Sequence, residues 1–108
     1  MLRCSRFPLL IDGDIKVWES LSVLEYIAEQ NPSARLWPED RHARAVARSI
    51  ASEMHSGFGG IREHLSMNIR VRASWRAYPD VVYKDIYRIQ TLWADARKQF
   101  AVRSFASS

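Results

Sequence analysis

The stretch that decides the fold is residues 7–21, which read FPLLIDGDIKVWESL. Two short apolar runs, at residues 9–11 and 15–17, flank Asp12-Gly13-Asp14. Glycine between aspartates accepts the positive φ that a two-residue hairpin loop needs, so the pattern predicts a β-hairpin. The first run is continuously apolar and suits a strand covered on both faces, whereas Lys16 gives the second run the alternation of an edge strand.

The hairpin is followed by a predicted amphipathic helix in the segment SLSVLEYIAEQNP, residues 20–32. Four apolar residues recur at helical spacing and share one face: Leu21, Leu24, Ile27 and Ala28. Ser20 is the candidate N-cap, because a serine hydroxyl can accept a hydrogen bond from a first-turn amide. Pro32 ends the periodic stretch, since proline lacks the amide hydrogen that a continuing helix would use.

A connector with two prolines separates this part from the rest of the chain. Residues 31–40 read NPSARLWPED and show no helical or strand periodicity. Leu36 and Trp37 are its large apolar residues, and we expect both to insert into a packed surface. The sequence therefore predicts a domain boundary here, with segments at residues 1–30 and 41–108 on either side.

The C-terminal segment carries two helical stripes of apolar residues. The members of the first recur at spacings of three and four: Ala43, Ala47, Ile50, Met54, Phe58, Ile61 and Leu65. The second follows an irregular stretch at residues 66–79 and consists of Val82, Ile86, Ile89, Trp93, Ala96 and Phe100. We expect two long helices of a bundle. Gly57, Gly59 and Gly60 are interpreted as permitting close helix packing, with an opening for a hydrophobic substrate as the alternative.

Composition excludes several classes of protein. The chain has 108 residues, of which 47% are apolar and 26% charged, values typical of a globular protein and not of a disordered one. Cys4 is the one cysteine, which excludes an internal disulfide framework and fits a reducing compartment. No Cys/His cluster has metal-ligand spacing, and no apolar stretch approaches the roughly 20 residues of a membrane span. We therefore expect a cytoplasmic protein without a metal or a membrane partner.

The net charge of +4 raises the question of an acidic partner. Arginines cluster in the second half of the chain, at Arg62, Arg70, Arg72 and Arg76. No helix-turn-helix, zinc finger or aromatic RNA-binding motif accompanies them, so we interpret them as solvated helix surface and expect no nucleic acid. A basic helical module that binds nucleic acid stays open as an outside alternative.

Several of these segments resemble the cytosolic glutathione transferases, particularly the bacterial ones. The resemblance rests on FPLLIDGD, WESL, LEYIAE, LWP and EMHSGF, so it covers about residues 7–100. It implies an α/β thioredoxin-like part, of which the hairpin and the following helix are the C-terminal portion. An all-α helical-bundle part follows, of which the chain holds the first helices. The expected architecture is an incomplete glutathione transferase fold.

The resemblance also implies which residues bind glutathione. Glu19 matches the family's partner for the ammonium of the γ-glutamyl group, and Ser20 with the helix amides matches the partner for its carboxylate. Phe7-Pro8 resembles the family's cis-proline turn, in which the residue before proline pairs through its backbone with the cysteinyl part. Without the resemblance, Ser20 can be simply a helix cap and Glu19 a favourable charge beside a helix N-terminus.

Family members carry their catalytic Ser, Tyr or Cys in an N-terminal segment that has no counterpart before Leu2. We therefore expect a chain truncated at both ends, without a catalytic residue, whose intact relatives bind glutathione and conjugate it to electrophiles. A hydrophobic electrophile as second substrate and a homodimer are implied for those relatives. The alternative is a non-catalytic glutathione-binding or interaction module. Cys4 is interpreted as incidental and His55 as a structural or surface histidine.

Overall fold

The computed structural model describes residues 8–72 and 74–101. Their elements are β1 (Leu9–Asp12), β2 (Ile15–Trp18), α1 (Ser20–Gln30), a 3₁₀ turn (Pro32–Ala34), α2 (Arg41–Ser56), α3 (Gly59–His64) and α4 (Asp80–Phe100). The predicted order, a hairpin followed by helices, is confirmed. By compactness the chain divides into two units, Met1–His55 and Ser56–Ser108. The predicted segments at residues 1–30, 31–40 and 41–108 stay a prediction, because compactness alone does not locate a family's domain boundary.

The hairpin forms as the sequence predicts. The strands β1 and β2 are antiparallel, with Leu9 opposite Trp18 and Asp12 opposite Ile15, and Gly13 takes φ 57° in the loop. The expectation that the first strand is covered on both faces is wrong for the described residues, since Leu9 and Ile11 are exposed. Helix α1 packs against β2 and leaves much of the small sheet open.

Helix α1 begins one residue earlier than it would if Ser20 were its N-cap. Ser20 is the first helical residue, and Glu19 occupies the cap position with φ 71° and ψ 131° and without a side-chain capping hydrogen bond. The expectation of Ser20 as the cap is therefore wrong. At the other end the Asn31 side-chain amide donates to the Ile27 carbonyl at 2.8 Å, which satisfies one of the free carbonyls of the last turn.

The connector between α1 and α2 holds one of its two large apolar residues in place. Trp37 is half-buried, and the Arg48 guanidinium lies 5.6 Å from the centre of its ring. Leu36 remains exposed, so the expectation that both residues insert into a packed surface is wrong for Leu36. The Arg44 side chain donates to the carbonyls of Pro38 and Glu39 at 3.0 and 2.6 Å, which fixes the end of the connector against α2.

The first helical stripe of the C-terminal segment is not one helix. Helix α2 ends at Ser56, and α3 begins at Gly59 after Phe58, which has the left-handed φ of 60°. Three glycines close together weaken the helix here. The break is stabilised by burial of Phe58, which is only 7% exposed. The predicted role of glycine in close packing is confirmed at Gly60, where an added Cβ would lie 3.0 Å from the carbonyl carbon of Val81.

The second stripe forms a single helix, α4, as predicted. Val82 in its first turn is fully buried, and α4 packs against α3. The Asp85 carboxylate accepts a hydrogen bond from the Ile61 amide at 3.1 Å, which ties the start of α3 to α4. Between α3 and α4, residues 66–72 and 74–79 form neither helix nor strand, in agreement with the predicted irregular stretch.

Candidate functional site

The predicted glutathione-binding residues lie where β2 passes into α1. Glu19 directly follows β2 and has φ 71°, a backbone conformation that residues with a Cβ adopt at a cost of about 1–3 kcal/mol. Its carbonyl nevertheless accepts the Val23 amide at 3.0 Å and so opens the helical ladder. A strained residue of this kind persists only where its surroundings impose it, and such residues concentrate at functional sites.

The first turn of α1 has unused hydrogen-bond donors. The amides of Ser20, Leu21 and Ser22 precede the first residue that can bond back along the helix, and in the described part of the chain the Glu19 side chain makes no capping bond to them. The first turn also contains no acidic side chain. Aligned free amides at a helix start, together with the helix dipole, form a suitable environment for a carboxylate.

The Glu19 carboxylate faces solvent on one side and a histidine on the other. Its Oε2 lies 3.3 Å from Nε2 of His55, a residue in the last turn of α2. The two side chains are 54% and 38% exposed, respectively. This contact was not predictable from the sequence, because 35 residues without a shared motif separate the two positions.

The Phe7-Pro8 turn is only partly described. Pro8 is exposed and directly precedes β1, whereas Phe7 lies outside the described residues. Of the four predicted site residues, the structure therefore brings Glu19 and Ser20 together at the start of α1. The role of Phe7 and Pro8 in backbone recognition stays a prediction.

A hydrogen bond between the hairpin and α1 fixes the frame of this site. The Tyr26 hydroxyl donates to Oδ2 of Asp12 at 2.7 Å. This hydrogen bond is the main cause that raises the pKa of Tyr26, with loss of solvent and the charges of Asp12 and Glu29 adding to it. Glu19 lies between the two anchor points in sequence, so the bond limits how far α1 can move relative to β2.

A separate cavity of about 430 Å³ lies beside the connector. Its wall includes Glu25, Trp37, Arg44 and Arg48 but neither Glu19 nor Ser20. The Nε1 atom of Trp37 is buried and has no hydrogen-bond acceptor among residues 8–72 and 74–101. Glu19 and Ser20 consequently lie at an open surface and not in the wall of this cavity.

The chemistry of the site is that of binding. An exposed carboxylate suits an ammonium group, while a serine hydroxyl and free helix amides suit a carboxylate. Within residues 8–72 and 74–101, no group of three or more His, Cys, Asp or Glu side chains could hold a metal ion. None of the helices in this part of the chain has the length and hydrophobicity required to cross a membrane.

Comparison with known proteins identifies several relatives over part of the chain. This chain is 45% identical over 49 residues to maleylacetoacetate isomerase of Rattus norvegicus. The match covers 45% of this chain and 22% of that protein. This chain is 35% identical over 60 residues to glutathione S-transferase Z2 of Arabidopsis thaliana. That match covers 56% of this chain and 26% of the relative. Glutathione S-transferase Z1 of Arabidopsis thaliana is 38% identical over 50 residues, a match that covers 46% of this chain and 23% of the relative. No protein-family model and no solved structure matches.

These matches confirm the resemblance to the glutathione transferase family that residues 7–21 and the following segments predict. Each matched region spans about a quarter of the relative's length. The matched relatives include proteins named as transferases and proteins named as isomerases. The activity and substrates of this chain are therefore matters for proposal.

Proposed function

We propose that this chain binds the γ-glutamyl end of glutathione at Glu19 and Ser20, as part of a thioredoxin-like, glutathione transferase type of architecture. The observation that carries the proposal is the backbone of Glu19. Its φ of 71° imposes a local cost on a residue whose side chain makes no capping hydrogen bond to α1 and is not buried. A ligand-binding role gives a reason for that cost, because it places an acidic side chain beside free helix amides.

The two charged groups of the γ-glutamyl end match the two halves of the site. The ligand's ammonium group pairs with the Glu19 carboxylate, and its carboxylate accepts hydrogen bonds from the Ser20 hydroxyl and the first-turn amides. The helix dipole adds about 0.3–1 kcal/mol for a negative charge at this position. A role of Ser20 as the helix cap would not explain the arrangement, because Ser20 is already the first helical residue and Glu19 occupies the cap position.

Backbone pairing of the cysteinyl part with Phe7, at the Phe7-Pro8 turn, belongs to the same proposal. It rests on the resemblance and on the position of Pro8 directly before β1, because an added extended peptide pairs alongside the exposed edge of a sheet. The proposal assigns binding of glutathione to these four residues. It assigns activation of the glutathione sulfur to none of the described residues.

The reaction proposed for the whole protein is conjugation of glutathione to a hydrophobic electrophile in a cytoplasmic, homodimeric transferase. A second candidate is isomerisation of maleylacetoacetate with glutathione as the bound partner. The relatives named as maleylacetoacetate isomerases favour it, at 45% and 40% identity. A third, non-catalytic role retains glutathione binding or packing onto another protein without turnover.

The test is a titration of glutathione into the 108-residue chain, followed by tryptophan fluorescence. Trp18 is partly exposed and adjoins Glu19, so its emission should change when the site fills. We expect a saturable change that Glu19→Gln and Ser20→Ala weaken. Glu63→Gln is the matched control, because it removes a glutamate charge from α3 and should leave the affinity unchanged.

The outcomes separate the candidates. A chain that circular dichroism shows to be helical, but whose fluorescence does not respond to glutathione, contradicts the binding proposal. Binding together with glutathione consumption in the presence of an aryl halide supports conjugation, and binding without turnover of either substrate supports the non-catalytic role. Steeply salt-dependent binding of a DNA oligonucleotide, without glutathione binding, would support the nucleic-acid alternative.

A further inference from the structure

We propose that His55 is a positioning residue for the glutathione ammonium group, holding one oxygen of the Glu19 carboxylate so that the other is presented to the ligand. This inference rests on the function proposed above and adds a residue from α2 to the site. The His55 role differs from that of Glu19, since His55 acts on the ligand only through the carboxylate.

The geometry gives the two carboxylate oxygens different surroundings. Oε2 of Glu19 lies 3.3 Å from Nε2 of His55. The contact with His55 is thus made through Oε2 of the Glu19 carboxylate, which is 54% exposed. An imidazole N–H at Nε2 that turns onto Oε2 would occupy that oxygen, and Oε1 would then accept from an ammonium group.

Positioning matters here because the glutamate side chain is long and exposed. The backbone of Glu19 is fixed by its φ of 71° and by the hydrogen bond from the Val23 amide to its carbonyl. Its side chain, 54% exposed, would otherwise lose rotamer freedom when a ligand binds. A contact that holds the carboxylate beforehand reduces this entropic cost and so strengthens binding.

A structural role for His55 makes a different prediction. His55 belongs to the last turn of α2, where a cationic side chain can interact with the helix dipole. That interaction stabilises α2 whether or not a ligand is present. Its loss would lower stability and affect every ligand of the site alike, whereas loss of positioning affects only ligands that carry the ammonium group.

The experiment compares two ligands on the 108-residue chain by calorimetry. One is glutathione, and the other is glutaryl-cysteinyl-glycine, which keeps both carboxylates and the thiol but lacks the α-ammonium group. We expect His55→Ala to weaken glutathione binding about three- to fivefold, as for an exposed charged pair, and to leave the analogue's Kd unchanged. His55→Gln, which keeps a side-chain donor, should restore most of the loss.

Two controls keep the result specific. His64→Ala removes a histidine 3.9 Å from Glu63 in α3 and should change neither Kd. In the Glu19→Gln background, His55→Ala should add little further loss, because a double-mutant cycle measures the coupling of the two residues. Circular dichroism of each variant establishes that α2 is retained, and His55→Gln decides the matter if His55→Ala unfolds.

The outcomes distinguish this inference from the function on which it rests. If the unsubstituted chain does not bind glutathione, both are overturned. If it binds glutathione but His55→Ala weakens the two ligands equally or neither of them, only the role of His55 is overturned. Selective loss of glutathione affinity, recovered by His55→Gln and absent in the Glu19→Gln background, supports positioning.

Discussion

The Tyr26 hydroxyl donates a 2.7 Å hydrogen bond to Oδ2 of Asp12, joining α1 to the end of β1 across 14 residues of chain. The segment enclosed by this contact contains the hairpin loop, β2 and the Glu19-Ser20 pair. The Glu19-Ser20 part of the proposed ligand site is thus held between two fixed points. Its geometry depends on a polar contact that lies outside the site itself.

Removing that contact should loosen the hairpin. We expect Tyr26→Phe to lower the urea midpoint of unfolding, because Asp12 loses its donor while the packed ring is kept. Tyr87→Phe is the control, since Tyr87 lies on the exposed face of α4 and should leave the midpoint unchanged. Equal midpoints for Tyr26→Phe and the unsubstituted chain would contradict a stabilising role.

The same hydrogen bond gives the stability a dependence on alkaline pH. Because the contact with Asp12 raises the pKa of Tyr26 above the ordinary value of 10.0, the folded state holds the phenolic proton more tightly than the unfolded state. The contribution is therefore fully present below pH 10 and is lost as the pH rises through the folded-state value. Urea midpoints at several alkaline pH values should fall less steeply in Tyr26→Phe.

Neighbouring glycines in α3 should respond to alanine in opposite directions. An added Cβ at Gly60 would lie 3.0 Å from backbone and side-chain atoms of Val81 and from Oδ2 of Asp85, so Gly60→Ala forces α3 away from α4. We expect a loss of about 1–3 kcal/mol in the free energy of unfolding, as for other overpacked sites. Gly59→Ala meets open space and should gain up to about 1 kcal/mol from helix propensity.

Arg48 should resist replacement by lysine. Its Nε and Nη2 atoms bind the two carboxylate oxygens of Glu25 at 3.2 and 3.0 Å, while the guanidinium lies over the Trp37 ring. Lysine keeps the charge but loses the planar fork, so Arg48→Lys should cost nearly as much as Arg48→Ala. Both side chains are about half exposed, which limits the expected loss to roughly 0.5–1 kcal/mol in chemical denaturation. If Arg48→Lys leaves the free energy of unfolding unchanged, only the positive charge matters at this position.

Glu19→Gly should separate stability from binding. Glycine adopts φ 71° without the Cβ penalty, so we expect about 1 kcal/mol of added stability, whereas Glu19→Ala keeps most of the strain. Both variants lack the carboxylate and should bind glutathione weakly. If Glu19→Gly lowers the stability of the chain, the backbone of Glu19 is not strained, and its conformation gives no support to a binding role.

The hairpin and the last helix were predictable from the sequence because their information is local. Asp12-Gly13-Asp14 specifies a tight turn by itself, and the spacing from Val82 to Phe100 defines a helix without reference to other elements. The break at Phe58 was not predictable from periodicity, because Phe58 continues the apolar stripe while its backbone leaves the helix. A buried ring and adjacent glycines override the repeat at that point.

The place of the candidate site along the chain stays a prediction from the sequence, and the geometry found there was not predictable. The Glu19-Ser20 pair follows a hairpin in sequence, and this order together with the resemblance predicts a binding site at the start of α1. The positive φ of Glu19 and the approach of His55 depend on tertiary structure, which no local pattern encodes. For the same reason the sequence suggested that Leu36 would be inserted, although it remains at the surface.

The irregular stretch before α4 makes the chain open to limited proteolysis. Arg70, Arg72 and Arg76 lie there outside any helix or strand and are exposed, which are the conditions under which trypsin cleaves a folded protein. A single nick would separate α4 from α3 covalently. The Ile61–Asp85 hydrogen bond and the close approach at Gly60 would still hold the two helices together, so the fragments should elute as one species until denaturant is added.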